Sequence, residues 1–343
     1  MRRTILLSIL LALALVQCGP VNNGPMVPRQ SPLYNPNTIV ITTNTNWTAA
    51  NSPYTFTQSV YVTATATLTI GPGVVLDFTP DTMLYVDGDL VINGTGASPV
   101  SLQSLEPGTQ WGGLIFSKYS IGGNLTFASI KDAFVQVNGG QIAMDQCTIE
   151  NGVWVTDHAP VALSISSSTL LAFDGFAFSI QNPLPLVPGT LPFVAISGST
   201  INGMMDFSLS EQMPPENINA FSVGNNLING GIYIHGGSAV LGSNFSVSGN
   251  TITGSIGVAQ PFSTNVINPV IIGNNIINSN GYAVYGGGQL YGNYIAGNNG
   301  AAVGVADTTQ GGVCDNTMDE SSAAVPLQFY RVDCVVNPRT TPN

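Results

Sequence analysis

The chain has 343 residues, of which 7% are charged and 44% hydrophobic, and it carries 39 glycines. That apolar share excludes a disordered, solvating chain. Seven basic residues against 18 acidic ones give a net charge of −11, which excludes nucleic acid and anionic lipid headgroups as partners, since both need a basic stripe.

Met1-Arg2-Arg3 and the apolar run over residues 5–16 have the charged start and short apolar centre of a secretory signal, too short to span a bilayer. The run ends at Leu15-Val16-Gln17-Cys18-Gly19. This resembles a bacterial lipobox, with Gln17 where a small residue is usual, and implies a signal over residues 1–17 and a lipid on Cys18. The expected location is therefore the bacterial cell envelope, as an outer-membrane lipoprotein, or the exterior. Any membrane tie is the lipid itself. Without residues 1–17, five basic residues face 18 acids, a net −13.

Residues 18–37 hold Pro20, Pro25, Pro28, Pro32 and Pro36 among Asn and Gly, and read as a tether. From Thr38 short alternating runs begin, such as Ser59-Val60-Tyr61-Val62-Thr63 and Val74-Val75-Leu76-Asp77-Phe78, separated by Gly, Pro, Asn and Asp. Beyond the signal no segment has helical periodicity with caps, so very little helix is expected.

The second half repeats a motif: Gly224-Asn225-Asn226-Leu227, Gly249-Asn250-Thr251-Ile252, Gly273-Asn274-Asn275-Ile276, Gly292-Asn293-Tyr294-Ile295 and Asp315-Asn316-Thr317-Met318. Weaker copies run upstream through Ala128-Ser129-Ile130, Cys147-Thr148-Ile149, Ser168-Thr169-Leu170 and Ser199-Thr200-Ile201. A second apolar pair follows many of them, as in Val135/Val137, Val153/Val155 and Ile232/Ile234. One such unit cannot bury its own apolar face, so the period implies a solenoid. The fold class expected is all-β, a single-stranded right-handed parallel β-helix over residues 38–318, with a cap and tail over 319–343. It should have roughly ten to twelve coils stacked at about 4.8 Å.

Residues two apart on a strand share a face. The Ile/Leu column thus points inward together with a ladder of Asn225, Asn250, Asn274, Asn293 and Asn316, extended upstream by Ala128, Cys147, Ser168 and Ser199. A buried amide needs partners, and stacking supplies them. Between these columns Thr148, Thr169, Thr200, Asn226, Thr251, Asn275, Tyr294 and Thr317 point outward. With Tyr282, Tyr285, Tyr291 and Tyr294 near its end, that strip could hold sugars through hydroxyl bonds and ring stacking. Cys147 reads as a small buried residue, and Cys314 and Cys334 are the natural disulfide in an oxidising exterior.

Trp47-Thr48, Ser52-Pro53-Tyr54, the runs at 66–74 and 86–90, Gly94-Thr95, Pro99-Val100-Ser101-Leu102 and the run at 111–116 follow in a characteristic order. The stretch resembles the opening module of bacterial surface proteins with right-handed β-helices, in the wider pectin-lyase-like group. The resemblance implies the fold and an envelope or secreted setting; the fold hosts enzymes and non-enzymes alike. Pectate lyases of the group use acids to hold calcium and an arginine as base. Here Val153-Trp154-Val155-Thr156-Asp157-His158 has an extra Thr156 relative to their signature, and after the signal arginine occurs only as Arg29, Arg331 and Arg339.

Candidate catalytic residues are Asp132, Asp145, Glu150, Asp157 and His158, with Lys131, which would have to converge from neighbouring coils. Aligning Ile130 with Ile149 instead sets Lys131 beside Glu150 as an exposed ion pair. Asp315, Asp319 and Glu320 could offer oxygens to calcium but match no loop motif, and no other cofactor is implied. The leading expectation is a monomeric, non-catalytic β-helix presenting a surface to glycans or surface proteins. The alternatives are a polysaccharide lyase or glycoside hydrolase with an atypical site, and a structural spacer.

Overall fold

A computed structural model describes residues 38–156, 159–181, 184–185, 193–209, 221–236, 245–259, 270–277, 284–286, 289–296, 303–305, 313–314 and 317–318. Strand follows strand from Ile39–Ile41 to Thr317–Met318, and among the described residues the only helical turn is Ala49–Asn51.

Every named strand pairing is parallel, and each strand pairs with its counterpart one turn of chain away: Thr67–Ile70 with Asp89–Asn93, Val75–Phe78 with Val100–Ser104, Leu84–Val86 with Leu114–Phe116. The chain is thus a parallel β-helix with three strands per coil, one on each of three faces. Thr45–Trp47 opens the first face, Tyr54–Phe56 the second and Val60–Val62 the third. Among the described residues there are eleven complete coils between Thr45 and Val305, with part of a coil at either end. Two strands, Thr169–Gln181 and Thr200–Leu209, turn the corner from second to third face unbroken, so these faces join into one sheet of 22 strands.

The interior is filled by one inward column after another. On the first face Leu68, Leu90, Ile142, Leu163, Val194, Phe221 and Phe245 are all buried. The column is broken at Gly123, where a Cβ would lie 2.6 Å from the Phe116 ring; glycine there makes room for that phenyl. The N-terminal end is closed by aromatic rings: Trp47 against Tyr54 and Phe56 at 5.2 Å each, Phe56 on Phe78 at 5.1 Å, Phe78 on Trp111 at 4.3 Å. Such rings cover the apolar edges that a solenoid end would otherwise present to water.

The ladder lies where the first face turns into the second, but its register differs from the expectation at one coil. Asn226, not Asn225, is the buried member. Leu227 pairs with Thr251 and Ile228 with Ile252, so Ile228 points inward and Leu227 is 42% exposed. Asn226 accordingly leaves the outward strip and Leu227 takes its place.

The backbone gives the reason. Immediately before each ladder residue stands one with positive φ: Phe127, Gln146, Ser167, Gly198, Asn225, Gly249, Gly273 and Gly292. Asn and Gly both tolerate this left-handed region. Gly224-Asn225-Asn226 therefore offers two registers, and the structure uses Asn225 as the equivalent of Gly249.

Within the ladder each side-chain oxygen accepts the backbone N–H of the ladder residue one coil earlier. Ser168 Oγ takes Cys147 N–H, Ser199 Oγ takes Ser168 N–H, and the amide oxygens of Asn226, Asn250, Asn274 and Asn293 continue the series at 2.9–3.0 Å. The Nδ2 groups of Asn226, Asn250, Asn274 and Asn293 donate back to the carbonyls of Ile196, Val223, Val247 and Ile271 at 2.9 Å. Asn316 lies outside the described residues.

Candidate functional site

Among the described residues the third face carries a varied outward chemistry. Its inward residues are apolar pairs: Val135/Val137, Val153/Val155, Phe178/Ile180, Met205/Phe207 and Ile232/Ile234. Alternation turns the residue within each pair, and the one after it, outward. Register sets Gln136 beside Trp154, Trp154 beside Ser179, Ser179 beside Asp206 and Asp206 beside Tyr233. The second column holds Asn138 and Thr156, then Gln181 beside Ser208 and Ser208 beside His235. Five successive coils thus form a two-by-five array that mixes amides, hydroxyls, a carboxylate, an imidazole and two broad aromatic rings, with Ser179 its one buried member at 4% exposure.

The array is held by contacts within and between coils. Asn138 Oδ1 accepts from Gln136 Nε2 at 2.8 Å and from Thr156 Oγ1 at 2.7 Å. His235 Nε2 lies 2.9 Å from Asp206 Oδ1, and Ser179 Oγ donates to Asp206 Oδ2 at 3.4 Å. Tyr233 packs its ring 5.0 Å from that of His235. The indole N–H of Trp154 donates to the Asn151 carbonyl at 3.1 Å, and Phe176 meets the ring edge-on at 6.2 Å. Trp154, Asp206, Tyr233 and His235 are all half-buried, fixed yet accessible.

Phe176 reaches this place through a β-bulge. The pairing of Thr169–Gln181 with Thr200–Leu209 slips between Leu171 and Phe176 and again before Phe178, which pushes out residues 172–175 and leaves Phe173 46% exposed. Bulges of this kind re-aim side chains beside functional surfaces.

Nearer the N-terminus the same face is covered. Tyr61 and Ile115 are buried there, and the Asp87 carboxylate, 8% exposed, accepts from the hydroxyls of Tyr61 and Ser117. Burial, and then the charge of Asp87, push the Tyr85 hydroxyl above the usual tyrosine range. Lys118 sits over the Tyr119 ring at 4.8 Å.

Among the described residues the carboxylates singled out from the sequence gather only in part, Asp145 standing apart from Asp132 and Glu150. Asp132 and Glu150 lie together after the second-face strands, where Glu150 Oε2 accepts the Asp132 N–H at 3.2 Å. Lys131 stays exposed beside them, and Glu150 turns to the backbone rather than forming the expected ion pair. Asp145 lies at the other end of the second-face strands, bonded to Ser166 Oγ at 2.7 Å. Asp157 and His158 fall outside the described residues, as do Asp315, Asp319, Glu320, Cys18, Cys334 and Tyr282.

Of the other tyrosines, Tyr285 belongs to a third-face strand, Tyr291 to a first-face strand and Tyr294 to a second-face strand. Cys147 is a buried free thiol in the ladder column. Its Sγ donates to the carbonyls of Leu125 and Asp145 at 3.4 Å, and burial pushes its pKa up to about 11.

The array is hidden in the sequence because its members do not repeat from coil to coil. The signal was nonetheless present: the apolar pairs Val135/Val137, Val153/Val155 and Ile232/Ile234 each enclose one outward residue.

Fold and array together define a parallel β-helix with one polar and aromatic display face. No protein-family model and no curated protein matches the chain.

Proposed function

We propose that this chain is an exported, non-catalytic β-helix of the pectin-lyase-like kind that binds carbohydrate on its third face. The observation that carries the reading is the two-by-five array. Trp154 and Tyr233 offer flat ring faces, while Gln136, Asn138, Thr156, Gln181, Asp206 and Ser208 offer donors and acceptors between and beside them. Sugars have apolar ring faces and a rim of hydroxyls, and such a mixture complements both. Export and envelope attachment rest on residues 1–18, and family membership on the ordered motifs between Trp47 and Phe116.

The test is titration calorimetry of the folded chain with soluble plant, algal and bacterial polysaccharides. Saturable binding to at least one is expected, lost in Trp154→Ala and Tyr233→Ala variants that melt like the parent. Absence of binding across the panel would reject the reading. New reducing ends, or the absorbance of unsaturated products, would reject its non-catalytic part.

A further inference from the structure

Building on the glycan-binding reading, we infer that the third face takes a neutral, unbranched chain lying along the axis of the β-helix, and disfavours chains of uronic acids. Length and direction follow from register. Trp154 and Tyr233 occupy one outward column with Ser179 and Asp206 between them, three coil steps apart. At the strand spacing of a sheet this is about 14 Å. One pyranose cannot stack on both rings, whereas a linear chain running across the strands meets Trp154, then Asp206 with His235, then Tyr233.

The flanks restrict branching. On the corner between second and third faces the bulge carries Phe173 outward, and Phe176 closes against Trp154. A chain with bulky side groups would meet this ridge, while a narrow one passes it.

The charge preference follows from what surrounds the column. Asp206 lies within it, and Asp132, Glu150 and Asp174 stand on the corner that borders it. Among the described residues the cations near it are Lys131 on that corner and Lys118, which is engaged with Tyr119 towards the N-terminal end. The one basic group inside the array, His235, is already bonded to Asp206. A uronate would bring one carboxylate per sugar into a region where fixed carboxylates outnumber lysines. That repulsion reaches about 10 Å at 0.1 M salt. Neutral hydroxyls donate to Asp206 without it.

The experiment uses gluco-, manno- and xylo-oligosaccharides of one to six units and the matching oligogalacturonates, titrated into the folded chain with a chelator at low and at high salt. The best neutral series should gain at least about tenfold in affinity between one and three units, a step of about 1.4 kcal/mol. The oligogalacturonates should bind at least about tenfold more weakly at low salt, the gap narrowing as salt screens the carboxylates. Trp154→Ala and Tyr233→Ala should each flatten the length dependence. A single sugar binding as tightly as the hexamer, or oligogalacturonate binding as tightly as the neutral series, overturns this inference and leaves the glycan-binding reading standing. Binding of none of them overturns this inference, and the glycan-binding reading falls with it when the polysaccharide panel also fails to bind.

Discussion

Asn226 and Asn250 sit one coil apart in the ladder, and Asn250 Oδ1 accepts both the backbone N–H of Asn226 at 2.9 Å and its Nδ2 at 3.0 Å. Asn250 in turn donates through Nδ2 to Val223 O and to Asn274 Oδ1, each at 2.9 Å. Asn250→Leu removes these bonds in a site with no exposure to water. Because a buried polar group left without its partner costs about 1–3 kcal/mol, the variant should lose about 3 kcal/mol or more. Asn225→Gly is the control: Asn225 is exposed at φ 56, so its stability should stay within about 0.5 kcal/mol of the parent. Denaturant midpoints of the two variants check the ladder and its register together; equal loss in both would restore Asn225 to the ladder.

That register shows what the sequence could and could not reveal. The inward Ile/Leu column and the Asn at 250, 274 and 293 were legible because sterics repeat the same solution on each coil. Asn225 and Asn226 were not separable, since either can be buried as an amide and either can take a left-handed φ. The binding array was hidden for a different reason. Gln136, Trp154, Ser179, Asp206 and Tyr233 are spaced by 18, 25, 27 and 27 residues and share no residue type. Only the pairing of Thr169–Gln181, with its bulge, brings them into line.

The corner between second and third faces is tightest at three glycines in neighbouring coils. A Cβ on Gly230 would stand 2.3 Å from Gly203 O, and one on Gly254 2.2 Å from Gly230 O. These are backbone atoms that cannot swing away. Gly230→Ala should therefore destabilise by about 1–3 kcal/mol, the usual cost of overpacking. Gly175→Ala is less crowded, with nothing within 4 Å of its Cβ, but its φ of 88 still costs the alanine strain. Thermal melts should rank Gly230→Ala below Gly175→Ala, and the reverse order would contradict the close packing of this corner.

Asp87 ties the covered part of the third face together, accepting from Tyr61 and Ser117 on two neighbouring coils. Asp87→Ala leaves both hydroxyls without that acceptor, and hydrogen bonds to a charged group contribute about 1.5–3 kcal/mol each. A loss of about 3 kcal/mol is expected, with Asp87→Asn intermediate because its amide oxygen still accepts. Asp87→Asn also removes the negative charge that helps hold Tyr85 above the usual tyrosine range. The Tyr85 hydroxyl should then ionise at lower pH, seen as the difference between parent and variant in phenolate absorbance during an alkaline titration. An unchanged titration would mean that burial alone sets it.

Cys147 links the ladder to alkaline stability. Burial raises its folded pKa to about 11, above that of an exposed thiol, which is about 8.5. The folded chain therefore holds a proton that the unfolded chain releases between these values. Stability is unaffected below the unfolded value and falls as pH rises towards and through the folded one. The size of the loss is at most about 3 kcal/mol. Cys147→Ala fits the column, since Ala128 occupies the equivalent buried place one coil earlier, and it removes this titration. Urea unfolding from pH 7 to pH 11 should show the parent losing stability more steeply than Cys147→Ala. Parallel curves would mean that the thiol is not protected in the folded chain, an outcome that its reaction with an alkylating reagent under native conditions would confirm independently.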